Sequence, residues 1–241
     1  MPKSRARFIA LEALLSRRNV RTDEQTIKAG RVFVDGRIIT NPAARVRVDA
    51  SVRVQPESRL RGDIKLSHAL DRFAIRIAGR VAADIGASAG GFTTALRDRG
   101  VARVYAIDVG VGPLVGRLRA DERVINLEGH NLGCITRQHV PEVVDIVTVD
   151  LSYLAVADAV PQLEALEIAP DADLVALVKP MFELRRGRPP VGRAQLEAAL
   201  RTATDAVGAG SWRVAATCES VVTGTRGTTE FFVHARREAA S

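Results

Sequence analysis

From residue 81 onward the sequence alternates short apolar runs with segments of helical periodicity, and this alternation constrains the fold more than any other feature. Strands that alternate with helices form a parallel sheet flanked by helices. The last two apolar runs are close in sequence, which predicts an antiparallel hairpin. We therefore predict an α/β domain with a seven-stranded, mostly parallel sheet. The predicted strands cover residues 81–85, 103–108, 123–127, 144–150, 173–178, 212–218 and 229–234, and the predicted helices include residues 91–99, 151–166 and 195–207.

Charged residues stand at or near the ends of these strands, namely Asp84, Asp108, Asp150 and Lys179. Open α/β sheets bind ligands outside the carboxyl ends of their strands. The turn at residues 86–91 is rich in glycine, so its backbone can approach a ligand and the next helix can receive a polar group. Asp108 follows at about the twenty-residue distance at which nucleotide-binding folds place the acid that holds ribose hydroxyls. The turn lacks both the GxGxxG spacing and a Walker lysine, which disfavours hydride transfer and phosphate hydrolysis.

The net positive charge of the chain comes from its first quarter. Residues 1–62 hold 14 Lys and Arg against 6 Asp and Glu, whereas the remainder holds 21 against 22, so the first quarter accounts for the whole net charge of +7. No apolar run approaches the ~18 residues of a membrane-spanning helix, and we expect no membrane insertion. The two cysteines, Cys134 and Cys218, predict reduced thiols and a cytoplasmic protein.

The basic first quarter has the pattern of a small separate module. Apolar spacing predicts helices over residues 5–18 and 22–29, and alternation around Asp35-Gly36 predicts a hairpin, with short strands following up to Val54. Charge alone leaves two interpretations open, an RNA-binding surface or the solvated face of a capping subdomain. The segment from Thr26 to Ala50 resembles the S4 RNA-binding domain. This resemblance implies an S4-like domain over residues 1–58.

Four segments of the second part resemble the motifs of the FtsJ-like (RrmJ-type) RNA ribose 2'-O-methyltransferases. They are residues 84–93 (DIGASAGGFT), 105–110 (YAIDVG), 149–153 (VDLSY) and 178–183 (VKPMFE). With an S4-like segment in front, the chain resembles the TlyA subfamily. The resemblance implies a Rossmann-like class I methyltransferase domain over residues 59–241, S-adenosylmethionine as cofactor, and 2'-O-methylation of ribosomal RNA at a cytidine. The cofactor-binding residues that it implies are Asp84, Gly86, Ala87, Ser88, Gly90, Gly91, Phe92, Asp108 and Glu128.

The resemblance also implies a catalytic set of Lys65, Asp150, Lys179 and Glu230. Only 4 of the 35 basic residues are lysine, and two of them fall on the expected positions. Arginine does not lose its proton near neutral pH, whereas a crowded, partly buried lysine can. A neutral amine can take the proton of a ribose hydroxyl, so we expect Lys179 to be the general base and the other three to support it.

Simpler interpretations exist for each residue taken alone. Asp84 would cap a turn, Asp108 and Asp150 would be ordinary strand-end carboxylates, and Lys65 with Glu230 would form a surface ion pair. The function has three alternatives: a non-catalytic RNA-binding factor, a small-molecule methyltransferase, and the haemolysin role for which such proteins have been named. The four histidines lack ligand spacing, so we expect no metal.

The chain departs from the subfamily pattern at three places. Asp63 stands where a glycine is usual, and Ala89 stands where the cofactor turn usually has threonine. The loop after Glu183 is shorter and rich in arginine, and we expect it to border the mouth of the site.

Overall fold

The chain divides into two compact units, residues 1–58 and residues 59–241. In this computed structural model the described residues are 7–20, 22–28, 30–54, 59–188, 190, 192–224 and 227–238. Each unit has a hydrophobic core of its own.

The first unit has two short helices and two small sheets. Its helices are α1 (Leu11–Arg17) and α2 (Glu24–Lys28), and its strands are β1 (Phe8–Ala10), β2 (Val32–Val34), β3 (Arg37–Ile39), β4 (Arg45–Arg47) and β5 (Val52–Val54). Strand β2 pairs with β3 and β5, and β1 pairs with β4. The predicted hairpin forms at Asp35 and Gly36, whose positive φ angles of 47° and 77° suit a two-residue turn.

The prediction of one helix over residues 5–18 is wrong at Phe8–Ala10. These residues form β1 and pair with Arg45–Arg47. Only Ile9 is partly buried there, so the local period is two, not 3.6. The pairing partner lies more than thirty residues away, and local spacing cannot reveal it. Arg5, Ala6 and Ala29 of the predicted helices lie outside the described residues.

The second unit contains the predicted seven-stranded sheet, in the order β11-β12-β10-β9-β6-β7-β8. Strand β12 runs antiparallel to both of its neighbours, and the remaining pairs are parallel. Its elements are α3 (Arg61–Arg72), β6 (Val81–Ile85), α4 (Gly91–Asp98), β7 (Arg103–Asp108), α5 (Gly116–Arg119), β8 (Val124–Glu128), β9 (Val144–Val149), α6 (Val156–Ala159), β10 (Ile168–Val178), α7 (Pro180–Glu183), α8 (Arg193–Gly208), β11 (Trp212–Glu219) and β12 (Phe231–Arg237).

Apolar side chains pack on both faces of this sheet. Ala82, next to Ala83 in β6, belongs to a core shared with α3 and α4, whereas Ala83 belongs to a core shared with α6 and α8. Alternate strand residues therefore bury opposite faces, which accounts for the continuous apolar runs in the sequence.

The predicted helix over residues 151–166 is shorter than expected. Only Val156–Ala159 is α-helical, and a 3₁₀ segment follows at Val160–Ala165. Pro161 lacks the backbone N–H that would continue the helix. Residues 151–155 are a loop, and this loop contributes to the site described below. Within the described part of the chain, no helix combines the length and the apolar character that crossing a membrane requires.

Candidate active site

Three of the predicted catalytic residues lie side by side because of strand register. Asp150 directly follows β9, Lys179 directly follows β10, and Glu230 directly precedes β12. Strands β9, β10 and β12 are neighbours, and Val178 is paired with Phe231. Adjacent strands are about 4.8 Å apart. The sheet therefore presents all three side chains at the carboxyl edge of its parallel strands.

Lys65 reaches this edge from α3. Helix α3 packs closely on α4 because two glycines meet, and a Cβ on Gly91 would lie 2.8 Å from Gly62 Cα. Lys65 Nζ lies 2.5 Å from Glu230 Oε2 and donates a hydrogen bond to it. The two side chains are only 9% and 5% exposed, so they form a buried pair and not the surface ion pair of the simpler interpretation.

Lys179 forms a second, more open pair. Its Nζ lies 2.6 Å from Asp150 Oδ1, and the two side chains are 16% and 22% exposed. The same Nζ donates a hydrogen bond to Ser152 Oγ at 2.9 Å. We did not predict Ser152, although it stands two residues after Asp150 in a motif that marked this segment. The sequence does not show that this hydroxyl lies beside Lys179, which is 27 residues away.

Helix α3 has anchors that the sequence did not indicate. Asp63 accepts two hydrogen bonds from Arg59, at 2.7 and 2.8 Å, and one from Ser67. Burial alone would raise the pKa of Asp63, but these hydrogen bonds outweigh burial and lower the pKa. Arg61 donates a hydrogen bond to the Thr223 carbonyl, in the segment before Glu230. Arg61 thus ties the start of Lys65's helix to the segment that leads into Glu230.

The glycine-rich turn lies beside the open pair. Gly86 has φ of +88°, and a Cβ at this position would overlap the Asp150 backbone, 2.9 Å from its carbonyl carbon. Gly90 caps α4 with φ of +91°. Ser88, at the tip of the turn, is exposed, whereas Ala87 is 5% exposed. The missing Cβ atoms of Gly86 and Gly90 leave room for the Asp150 backbone and the Leu118 side chain, so the turn can fold tightly against the sheet edge.

Hydrogen bonds hold the two acids beyond the turn in place. Asp108 accepts hydrogen bonds from the Ser88 and Gly110 amides at 2.8 and 2.7 Å. Glu128, its partner in the register of β7 and β8, accepts a hydrogen bond from Arg119 at 2.5 Å. An ionised carboxylate has about four acceptor positions, so Asp108 can still receive a ribose hydroxyl. Glu128 also accepts hydrogen bonds from the Leu114 amide at 3.4 Å, from the Gly112 backbone and from the Asn126 side chain, and these contacts take up its positions. The turn and Asp108 together fit a nucleoside-containing cofactor.

Asp84 and Phe92 are placed beneath the turn, away from its surface. Asp84 is 0% exposed, and it accepts hydrogen bonds from Thr93 and Thr148 at 2.6 and 2.9 Å. Burial raises its pKa to about 6. Phe92 is 3% exposed and packs against Phe232. Both side chains face the core and support the turn from below, and their assignment to cofactor binding stays a prediction.

The loop after Glu183 starts from a residue that hydrogen bonds hold in place. Glu183 is buried and accepts hydrogen bonds from the Val156 and Ala157 amides at 2.7 and 3.4 Å, and burial raises its pKa. This contact ties α7 to the start of α6. The arginine-rich continuation is exposed, and Arg185 forms an ion pair with Asp158 at 3.2 Å. Pro189 and Val191 of this loop lie outside the described residues.

Comparison with known proteins agrees with this geometry. The family model described as FtsJ-like methyltransferase matches residues 58–237. A 16S/23S rRNA (cytidine-2'-O)-methyltransferase TlyA from Mycobacterium tuberculosis is 39% identical over 191 residues, which are 76% of this chain and 71% of that protein.

Solved structures agree on the fold. A structure from Streptococcus thermophilus that carries a hemolysin name has a TM-score of 0.67 and 26% identity, over 96% of this chain and 89% of its own. A methyltransferase structure from Listeria monocytogenes has a TM-score of 0.53 at 13% identity, over 75% of this chain and 100% of its own, which shows the Rossmann-like class I fold alone. The chain therefore belongs to the FtsJ-like methyltransferase family, in its TlyA branch, and is an enzyme of that family.

Proposed function

We propose that this enzyme methylates the ribose 2'-hydroxyl of a cytidine in ribosomal RNA, with Lys179 as the general base. The observation that carries the proposal is the pairing of two lysines with two carboxylates at one sheet edge, beside a glycine turn that a nucleoside cofactor fits. The substrate class rests on the relative from Mycobacterium tuberculosis, whose name gives rRNA and the cytidine 2'-oxygen.

S-adenosylmethionine, the methyl donor of this family, supplies an electrophilic methyl group on a sulfonium. The residues that would hold it are the turn at 86–91 and Asp108, and the assignment of Glu128 stays a prediction. Asp84 and Phe92 would support that turn from below. Because the sulfonium already makes the methyl group electrophilic, the residues of this chain have only to position the ribose hydroxyl and to take its proton.

Lys179 is better placed than Lys65 to take that proton. Its side chain is more exposed and lies at the open edge, shared between a carboxylate and a hydroxyl. The Lys65 amine is enclosed by its contact with Glu230. In this mechanism Lys179 Nζ would take the hydroxyl proton while the ribose oxygen bonds to the methyl carbon, the methyl–sulfur bond breaks and the neutral thioether leaves. Asp150 then stabilises the ammonium that forms.

We also propose that residues 1–58 are an S4-like RNA-binding domain. The structure describes exposed arginines on this unit, and Arg53 stacks over the Phe33 ring at 4.8 Å. Exposed guanidinium groups bind phosphates and make affinity depend on salt. If Arg37 and Arg53 contact phosphates, replacing each by alanine should lower the slope of log affinity against log salt by about 1 per contact. An unchanged slope would favour the capping interpretation.

One experiment tests the activity. The full chain is incubated with radiolabelled S-adenosylmethionine and with 30S subunits, 50S subunits or naked rRNA, and Lys179→Ala is run in parallel. We expect transfer to a cytidine ribose in at least one RNA and none by the variant. Transfer to no RNA, or equal transfer by the variant, would contradict the proposal. A non-catalytic RNA-binding factor would bind without transfer, and the contact between Lys65 and Glu230 gives that alternative no support.

A further inference from the structure

The Ser152 hydroxyl makes the directional contact with the proposed base. Lys179 Nζ donates a hydrogen bond to Ser152 Oγ at 2.9 Å. Asp150 Oδ1 lies nearer, at 2.6 Å, yet this buried oxygen receives no correctly angled hydrogen bond from any residue that the structure describes. The carboxylate thus attracts the amine by charge, whereas the hydroxyl sets its orientation.

These two contacts respond differently when Lys179 loses its proton. The Coulomb attraction to Asp150 requires a charged ammonium. The hydrogen bond to Ser152 requires only an N–H, which the neutral amine still has. A general base acts from its neutral form. The serine contact is therefore the one that persists in the state in which Lys179 can accept a proton.

The backbone holds Ser152 in place. Its loop begins at Asp150, whose amide donates a hydrogen bond to the Ile85 carbonyl at 2.9 Å, and ends at α6, whose first amides bind the buried Glu183. Glu183 belongs to α7, which begins one residue after Lys179. The donor and the acceptor of the hydrogen bond are thus fixed to the same framework, although the Ser152 side chain itself is exposed.

We propose that Ser152 is a positioning residue for Lys179, an inference that rests on the proposed methyl transfer. With one N–H engaged by Ser152, the neutral amine keeps a fixed orientation and its lone pair remains free for the ribose hydroxyl. Ser152 needs no contact with the RNA or with the cofactor for this role.

Two variants of Ser152 and one control test this role in the full chain. Ser152→Ala removes the acceptor, and Ser152→Thr keeps it. Ser211→Ala is the matched control, because the Ser211 hydroxyl also contacts a side chain, Glu164 at 3.3 Å. Ser211 precedes β11, whose first residue pairs with Arg237 at the opposite edge of the sheet. We measure kcat, KM for the RNA substrate, KM for S-adenosylmethionine, and Tm.

We expect Ser152→Ala to lower kcat by about 10-fold or more, the scale of small misplacements at a reacting centre. Both KM values and Tm should stay unchanged, Ser152→Thr should recover most of the loss, and Ser211→Ala should match wild type. An unchanged kcat in Ser152→Ala, an equal loss in Ser152→Thr, or a raised RNA KM at normal kcat would each overturn the positioning role. Failure of the wild-type chain to methylate any RNA would instead overturn the proposed function, and the inference with it.

Discussion

The two lysine–carboxylate pairs have the same chemical groups but different surroundings. Lys65 belongs to α3 and Glu230 directly precedes β12, 165 residues further along the chain, and both side chains are nearly enclosed. Lys179 and Asp150 follow two adjacent strands, remain partly open, and share the amine with Ser152.

This difference indicates that the two pairs have separate roles. A buried ion pair gains little net stability, since desolvation offsets the attraction, but removing one partner is costly. Such a pair suits fixing a helix to a sheet edge in one geometry. A partly open amine suits proton transfer, because a substrate can reach it. Each prediction below distinguishes these roles by changing one pair or the turn that packs against it.

The largest expected effect is on turnover when the open lysine becomes arginine. Lys179→Arg keeps the positive charge next to Asp150 but cannot release a proton near neutral pH. Loss of a general base costs about 10²- to 10⁴-fold in rate. We therefore expect kcat to fall by that factor in single-turnover assays while RNA and cofactor affinities change little. If Lys179→Arg kept more than a tenth of the wild-type rate, Lys179 would not be the base.

The buried pair should show its effect in stability. Glu230→Gln leaves the Lys65 ammonium enclosed without its counter-charge, and breaking such a pair costs about 3–5 kcal/mol. The double variant Lys65→Met with Glu230→Leu should recover much of that loss. Urea unfolding is followed by the fluorescence of Trp212, the single tryptophan and a core residue of the second unit. Equal destabilisation by Glu230→Gln and Asp150→Asn would remove the distinction between the two pairs.

The support of the open pair is tested at Gly86. Gly86→Ala adds a methyl group against the Asp150 backbone at a left-handed φ, whereas Gly112→Ala meets the same φ of +88° with nothing within 4 Å. Strain at such a φ costs about 1–3 kcal/mol. We expect Gly86→Ala to exceed Gly112→Ala in lost stability and to weaken cofactor binding, measured by calorimetry. Matching losses would show that φ alone matters there and that the contact with Asp150 does not.

Much of this site was predictable because strand ends carry it. Apolar runs locate the strands. The residues just beyond two of these strands, Asp150 and Lys179, lie at the carboxyl edge of the sheet for any conformation of the loops. The scarcity of lysine left only four candidates, and the resemblance to methyltransferase motifs selected Lys65 and Lys179 among them. The resemblance to methyltransferase motifs then assigned Glu230.

Other features depend on distances that the sequence does not contain. Asp84 and Phe92 belong to a motif that binds ligands, but whether each faces the ligand or the core is decided by the turn's shape. Ser152 carries no periodic signal, and its role follows from one hydrogen bond. Strand β1 is set by pairing with β4, which outweighs the helical spacing around Phe8.

The smallest expected effect is a pH dependence of folding stability that arises from Asp84, beneath the glycine-rich turn. Asp84 is fully buried, and its pKa is raised from 3.8 to about 6, chiefly by burial, with a further increase from the charge of Asp150. As pH rises from about 4 to 6, the unfolded chain releases this proton first. The folded state therefore loses stability across this window, and the loss levels off above it.

Asp84→Asn does not titrate, and its amide can still accept from Thr93 and donate to Thr148. The free energy of unfolding, measured with urea at pH 4, 5, 6 and 7, should fall less between pH 4 and 6 in the variant than in wild type. Other groups, Glu183 among them, titrate in both proteins and cancel in the difference. A difference that is constant over this range would show that Asp84 binds its proton equally in the folded and unfolded states, and hence that burial beneath the turn does not control it.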